Sequence, residues 1–168
     1  MKKNKIVKLH HLFFALLMCM TFADVSANPR IAVLDFELKD MTLAPRIPAE
    51  IIRTASIKPL MENELKKSGY DIMSINPDAQ QLATAGTGYL FDHPDVAAEL
   101  GKQFHVDYVI VGRLHKPSFL FFYLMTHLVD VKKAALVGEY LYEVKGGEKK
   151  IIVKGVESLT EKIIKSLD

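Results

Sequence analysis

Two short runs of consecutive apolar residues constrain the fold most strongly. Residues 31–34 (Ile-Ala-Val-Leu) and 108–111 (Tyr-Val-Ile-Val) contain no charged side chain. A strand with one wet face alternates apolar and polar residues, whereas a run that is apolar on both sides is typical of a strand covered on both faces. We therefore predict that residues 30–36 and 107–114 are central strands of a sheet that has helices packed against it.

Three other segments repeat apolar residues at the spacing of a helix. They are residues 57–65, 96–104 and 152–167. Ser56 is placed to cap the first helix and Gly69 to end it, and Asp92, Pro94 and Asp95 suit the start of the second. Gly155 weakens the third helix near its beginning. Ile51 and Ile52 indicate a further helical turn before the first of them, separated by a kink at Pro59.

Shorter segments complete the predicted sheet. Residues 70–75 suit a second strand, and residues 119–129 and 136–144 suit a hairpin that turns at 130–134. The order β-α-β-α-β-β-β-α predicts an α/β (α+β-like) fold with a mixed sheet of about five strands. Residues 76–91 are predicted to form a mobile surface loop, since Gly86 and Gly88 do not belong to a phosphate-binding fingerprint.

The first 27 residues have the pattern of a secretory signal peptide. Four lysines precede an uncharged apolar run at 12–22, and the small residues of 25–27 suit cleavage before Asn28. The run is far shorter than the roughly 20 residues that span a membrane, so we expect no span after cleavage. Leu16 lies three residues before Cys19 as in a lipoprotein signal, but Met18 is too bulky for the position before a lipidated cysteine. We expect an exported, unlipidated domain at 28–168.

Cleavage changes which functions the composition allows. The leader holds four of the 22 Lys and Arg and one of the 20 Asp and Glu, which leaves 18 basic and 19 acidic residues in the mature chain. A nearly neutral domain has no excess positive charge for a phosphate backbone, so nucleic-acid binding is disfavoured. Removing Cys19 also leaves no cysteine for a disulfide, a thiolate metal site or a nucleophile.

Three blocks of residues resemble a known family. Residues 30–37 (Arg-Ile-Ala-Val-Leu-Asp-Phe-Glu), 106–113 (Val-Asp-Tyr-Val-Ile-Val-Gly-Arg) and 128–132 (Leu-Val-Asp-Val-Lys) are similar to an uncharacterised family of small secreted bacterial proteins. More distantly, they resemble the periplasmic α/β domain at the amino terminus of TolB and in CsgG. The resemblance implies that fold, and it implies a role as an adaptor or assembly part of the envelope. It implies no chemistry, because the blocks are core strands.

Polar residues follow the two central strands. Asp35 and Glu37 end the first, and Arg113 and His115 end the second, so parallel pairing would gather them at the carboxyl edge of the sheet, where α/β folds usually bind ligands. Asp35, Arg113 and His115 are therefore candidate ligand-binding residues. The alternative is an ion pair between Asp35 and Arg113 at the rim of the core.

The four histidines of the mature chain do not indicate a metal site. His93, His105, His115 and His127 include no pair at a spacing that would share a metal within one strand or helix, and His105 suits the carboxyl end of a helix. Ser118 and Thr126 lack a nucleophile-elbow pattern. We predict no metal, no cofactor and no catalytic residue.

The hairpin carries the candidate partner surface. In its first strand Leu120, Phe122, Leu124 and Leu128 suit the core, which leaves Phe119, Phe121, Tyr123, Met125 and His127 on the opposite face. In its second strand Leu136, Tyr140, Tyr142 and Val144 point one way, and the side with Glu139 and Glu143 is predicted to be wetter. Either a helix covers the Phe121 face or the face is an interface, with Phe119, Phe121 and Tyr123 as partner-binding candidates.

These observations favour a non-enzymatic periplasmic or secreted protein. Its predicted partner is another envelope protein or a second copy of itself. The competing hypothesis is a small-ligand or metal-binding domain that uses the carboxyl edge of the sheet.

Overall fold

The computed structural model describes residues 28–86, 88–145 and 149–167. The predicted signal peptide, including Cys19, lies outside the described residues. Within them the strands are β1 (Arg30–Val33), β2 (Glu37–Asp40), β3 (Asp71–Ile72), β4 (Tyr108–Lys116), β5 (Phe121–Asp130) and β6 (Ala135–Lys145). The helices are α1 (Pro48–Ala55), α2 (Ile57–Lys67), α3 (Pro77–Ala83), α4 (Tyr89–Asp92), α5 (Pro94–Gln103) and α6 (Lys149–Leu167).

The strands form one mixed sheet in the order β3-β1-β4-β5-β6, and β2 also pairs with β4. β1 runs parallel to β3 and β4, and β2 runs parallel to β4, whereas β4, β5 and β6 are antiparallel neighbours. The predicted α/β class and mixed sheet are confirmed. The sheet has six strands rather than about five because β2 follows the first predicted strand, residues 30–36, as a separate strand that was not predicted.

One extra residue causes the break between β1 and β2. Val33 lies opposite Ile110 and Glu37 lies opposite Arg113, so a step of four residues faces a step of three. After such a bulge, each side chain of the strand points to the face opposite to the one that unbroken alternation would give it. As a result Glu37, and not Asp35, lies on the same face as Arg113.

Helices cover both faces of the central strands. On the face that we call the α6 face, α2 and α6 pack against Ile31, Val33, Ile110 and Leu124. On the other, the α5 face, α3, α4 and α5 pack against residues such as Ala32 and Val109. The two-sided burial of β1 and β4 is the reason that their sequences show no alternation.

The helix ends differ from the prediction at two positions. α1 and α2 separate at Ser56 and not at Pro59, which lies in the first turn of α2. The Ser56 side chain donates to the carbonyl oxygen of Arg53 instead of capping α2. Asp92 likewise does not cap α5, whose N-cap residue is His93, because its carboxylate contacts Arg113.

The predicted loop at 76–91 is wrong, because it contains the helices α3 and α4. Asn76 caps α3 by accepting a hydrogen bond from the backbone N–H of Asp78 at 2.9 Å, and Pro77 occupies its first turn. Leu82 of α3 is 88% exposed, and the small residues Ala79 and Ala83 contact the core. A helix that packs through alanines gives little hydrophobic periodicity.

The hairpin forms as predicted, with two corrections. Leu120 is exposed and precedes β5, so it does not belong to the core set. The ladder shifts between Leu128 and Val129, which places Leu136 against the α5 face rather than with Tyr140. The side with Glu139 and Glu143 is the more exposed, as expected.

α6 is continuous through Gly155, which does not blur its start. A side chain at this position would meet Leu124 and Tyr142, so the glycine lets the helix lie close to β5 and β6. Among the described residues, no helix is both long and apolar enough to cross a membrane.

Candidate functional site

Arg113 lies at the centre of a polar cluster on the α5 face. Its Nε lies 3.3 Å from Oε1 of Glu37, and its Nη2 lies 3.3 Å from Oδ2 of Asp92. Nη2 also donates to the carbonyl oxygen of Gly88 at 3.4 Å, and Cζ lies 4.1 Å from the centre of the Phe91 ring. The side chain is 9% exposed. Two carboxylates, a carbonyl group and an aromatic face therefore balance the buried guanidinium, an arrangement that favours a structural role.

Asp35 takes no part in this cluster, so the predicted ion pair between Asp35 and Arg113 is wrong. Its Oδ1 lies 3.0 Å from Nζ of Lys58 on α2, on the other face of the sheet. The backbone of Asp35 is held instead by Gln80. The Gln80 amide accepts from the Asp35 N–H at 2.9 Å and donates to the Asp35 carbonyl at 3.0 Å. This pair of bonds joins α3 to the link between β1 and β2.

His115 lies two residues beyond Arg113 on the same face of β4. Its ring centre lies 6.3 Å from that of Tyr123, and its Nδ1 is buried without a hydrogen-bond partner in the described part of the chain. Burial and the positive charge of Lys39 lower the pKa of His115 below its ordinary value, which favours the neutral ring. The structure thus places Asp35, Arg113 and His115 near one edge but in three different environments.

A cleft of about 280 Å³ opens at this edge. Of the three ligand candidates only Asp35 lines it, together with Glu37, Arg46, Gln80 and Tyr89. Its volume lies near the lower limit of small-molecule sites, which is about 300 Å³. The guanidinium of Arg46, the amide of Gln80 and the phenol of Tyr89 are side-chain types that suit recognition of a small polar molecule. Sequence reasoning missed Arg46 and Gln80, because both come from segments without a recognisable motif.

His93, His115 and His127 each stack on an aromatic ring: Tyr89, Tyr123 and Phe91, respectively. His127 stacks on Phe91 with ring centres 3.7 Å apart, and its Nδ1 lies 3.0 Å from the Phe91 carbonyl oxygen. Burial lowers the pKa of His127, although this hydrogen bond and Glu139 partly oppose the shift. Across residues 28–86, 88–145 and 149–167, no group of three or more His, Cys, Asp or Glu side chains is placed to hold a metal ion.

A second cluster of charges is buried at the end of β4. Nζ of Lys116 lies 2.9 Å from Oε1 of Glu50 on α1 and 4.0 Å from Oδ2 of Asp40. Arg53 pairs with the other oxygen of Glu50 at 2.6 Å. Burial opposes the charge of Asp40, but hydrogen bonds from Thr42 outweigh it and keep the pKa of Asp40 below its ordinary value. A single glutamate within the apolar segment 47–52 was the available signal for this cluster.

The partner-binding candidates separate into two groups. Phe121 and Tyr123 lie half-buried on the α5 face, with ring centres 5.8 Å apart and an edge-on arrangement. Phe119 lies before β5 and is exposed, and its ring covers Nζ of Lys116 at 5.3 Å. We call His115, Phe121 and Tyr123 the aromatic strip.

Among the described residues, the helices of the α5 face pack on the half of the hairpin that lies nearer its turn, around Val129 and Leu136. α4 covers His127 through Phe91, whereas Phe121 and Tyr123 keep part of their surface in solvent. Leu141 of β6, beside the strip, is 49% exposed. The strip is thus an apolar and aromatic surface with Glu139 and Glu143 at its margin.

A family model named DUF3280, with the description "Protein of unknown function (DUF2380)", matches residues 29–164. A search of curated proteins found no match.

Several solved structures have a similar fold. A PelC dodecamer from Paraburkholderia phytofirmans is 16% identical, with a TM-score of 0.52 over 83% of this chain and 87% of PelC. TolB from Acinetobacter baumannii is 17% identical, with a TM-score of 0.53 over 84% of this chain and 29% of TolB. Lipoprotein GNA1162 from Neisseria meningitidis is 13% identical, with a TM-score of 0.53 over 83% of this chain and 99% of that protein. These matches confirm the predicted resemblance to the TolB domain at the level of the fold.

Proposed function

We propose the following function for this chain, which belongs to the DUF3280 family: it is an exported, non-enzymatic accessory protein that binds another envelope protein or a second copy of itself. The aromatic strip is the observation that carries the proposal. The rings of Phe121 and Tyr123 meet edge-on, with centres 5.8 Å apart, and both side chains keep part of their surface in solvent. Protein interfaces are enriched in aromatic side chains at their centre and polar ones at their rim.

Proteins of the same fold support this proposal. PelC was solved as a dodecamer, and GNA1162 is a lipoprotein. The ion pairs of Arg113 also favour a binding role over catalysis, because Glu37 and Asp92 already balance the charge of this buried guanidinium. Export rests on the predicted leader at residues 1–27.

Changing Phe121 to Ser tests the strip. Phe121 is half-buried, so we expect the free energy of unfolding to fall by only about 1–2 kcal/mol, less than the 3 kcal/mol or more that a fully buried phenylalanine would cost. The variant should remain folded but lose its partner. Affinity capture from envelope extracts followed by mass spectrometry measures binding to another protein, and analytical ultracentrifugation of the purified protein measures self-association.

Leu82→Ser is the matched control, because Leu82 is 88% exposed and lies on α3, away from the strip. It should change neither stability nor binding. A Phe121→Ser protein that keeps both its melting temperature and its partner would show that the strip is neither core nor interface.

The cleft supports a second candidate function, the binding of a small polar molecule. Arg46 supplies a positive charge among the residues that line it. A ligand that binds only the folded protein should raise the melting temperature in a thermal-shift screen of metals, small anions and amino acids. Arg46 has a φ of 59°, a conformation that Asn tolerates, so Arg46→Asn should remove the shift without unfolding the protein. A screen without any hit, or a hit that Arg46→Asn leaves unchanged, contradicts this use of the cleft.

A further inference from the structure

Helix α1 is turned with its polar side toward the protein. Its sequence is Pro-Ala-Glu-Ile-Ile-Arg-Thr-Ala, and the buried residues are Glu50 and Thr54. Ile51 and Ile52 point outward and are exposed. A surface helix normally buries its aliphatic residues and exposes its charged ones, so α1 reverses the usual orientation.

The buried ion cluster fixes this orientation. Glu50 accepts from Nζ of Lys116 at 2.9 Å and from Nη1 of Arg53 at 2.6 Å. The Thr54 hydroxyl donates to the backbone carbonyl of Glu50 at 2.8 Å. Turning the helix inward by its aliphatic side would bring Glu50 into water and leave Lys116 buried without its closest partner. The exposure of the isoleucines is therefore built into the fold.

Neighbouring segments extend the exposed aliphatic surface. The loop before α1 meets the end of β4, where the Met41 N–H donates to the Lys116 carbonyl at 2.9 Å, and α1 meets the start of β5, where Arg53 lies over the Phe122 ring. Six side chains that are 41–98% exposed make up what we call the apolar end: Met41, Leu43, Ile47, Ile51, Ile52 and Leu120.

Among the described residues, the carboxylates of the apolar end are buried, whereas a basic side chain stays in solvent. The two carboxylates, Asp40 and Glu50, have side chains that are 0% and 6% exposed and are paired with Lys116. Arg46, which lies between Leu43 and Ile47, remains exposed. The surface thus combines projecting aliphatic side chains with positive charge, which complements the anionic headgroups of a membrane.

The kind of side chain distinguishes a lipid surface from a protein partner. The side chains of the apolar end carry no hydrogen-bonding group and include no Tyr, Trp or Arg, which dominate the binding energy of protein interfaces. We propose that the apolar end inserts into the headgroup region of a bilayer that contains anionic lipid. This contact is separate from the aromatic strip, which lies on the opposite face of the sheet from α1.

Vesicle sedimentation tests the proposal with the purified exported protein. We expect binding to vesicles of equimolar phosphatidylcholine and phosphatidylglycerol, weaker binding to phosphatidylcholine alone, and further weakening at high salt. The double variant Leu43→Ser, Ile52→Ser should lower the partition coefficient by about tenfold or more, because two aliphatic side chains no longer leave water. Both positions are largely exposed, so the melting temperature should stay unchanged.

Leu82→Ser removes a leucine whose exposure, 88%, lies between those of Leu43 and Ile52, from the opposite face, and this variant should bind vesicles like the unaltered protein. Phe121→Ser should also bind them normally, which separates this test from that of the aromatic strip. Equal sedimentation of the double variant and Leu82→Ser would overturn the proposal, as would unaltered protein that stays in the supernatant. An oligomer that forms without lipid and that the double variant dissociates would assign the apolar end to a second copy instead.

Discussion

Replacing Lys116 with Met is expected to lower the free energy of unfolding by about 3–5 kcal/mol. The substitution keeps most of the buried side-chain volume but removes the charge that faces Glu50 and Asp40. Glu50 would keep Arg53, whereas Asp40 would keep only the hydrogen bonds of its own loop. Two buried carboxylates would then share too little positive charge. Urea denaturation followed by circular dichroism measures the loss.

Lys165→Met is the control for this prediction. Nζ of Lys165 lies 2.7 Å from Oε1 of Glu161, which is closer than Nζ of Lys116 lies to Glu50. The side chains of Lys165 and Glu161 are, however, mostly in solvent. Because solvent screens an exposed ion pair, its loss should leave the free energy of unfolding nearly unchanged. Adding Glu50→Gln to Lys116→Met should recover part of the stability, since it removes the buried charge left without its partner. If Lys116→Met costs no more than Lys165→Met, the buried cluster does not hold α1 in place.

The sequence predicted the central strands well, because each had to bury both of its faces. Residues 31–34 and 108–111 lie in the middle of the sheet with helices on either side. The helices α2, α5 and α6 were predicted for a related reason, since each buries an apolar stripe at helical spacing. The burial of a whole strand or of one helix face requires apolar residues at a regular spacing, and this spacing is visible within a single segment of the sequence.

The candidate site could not be predicted in the same way, because it depends on register. Unbroken alternation would have put Asp35 and Glu37 on one face, and the single extra residue opposite β4 separates them. Asp35 consequently meets Lys58, while Glu37 meets Arg113. Residues 34–36 include no residue type that indicates a bulge, so the sequence alone gave Arg113 the wrong partner.

The orientation of α1 was also beyond sequence reasoning. Ile51 and Ile52 indicated a helix, and apolar residues on a helix usually face the core. The partner that turns Glu50 inward is Lys116, which lies 66 residues further along the chain. Only the paired register of β2 and β4 brings the two together. Long-range charge pairs of this kind leave no periodic signal.

Replacing Gly112 with Val is expected to cost about 3 kcal/mol of stability, because the bulge between β1 and β2 seats the Phe36 ring directly on this glycine. Even a single methyl group at Gly112 would collide with three atoms of the ring. The ring is 8% exposed and belongs to the core of the α6 face, so it has little room to move. Thermal and urea denaturation measure the loss.

A double-mutant cycle separates this collision from a general intolerance of side chains in β4. Phe36→Ala alone should cost about 3–5 kcal/mol by leaving a cavity. In that background Gly112→Ala should cost less than about 1 kcal/mol, because the new methyl group enters space that the ring has left and alanine suits a strand better than glycine. Equal penalties for Gly112→Ala in both backgrounds would mean that Phe36 is not the constraint. The glycine would then be required by the backbone of β4 itself, and the register that brings Glu37 to Arg113 would need another explanation.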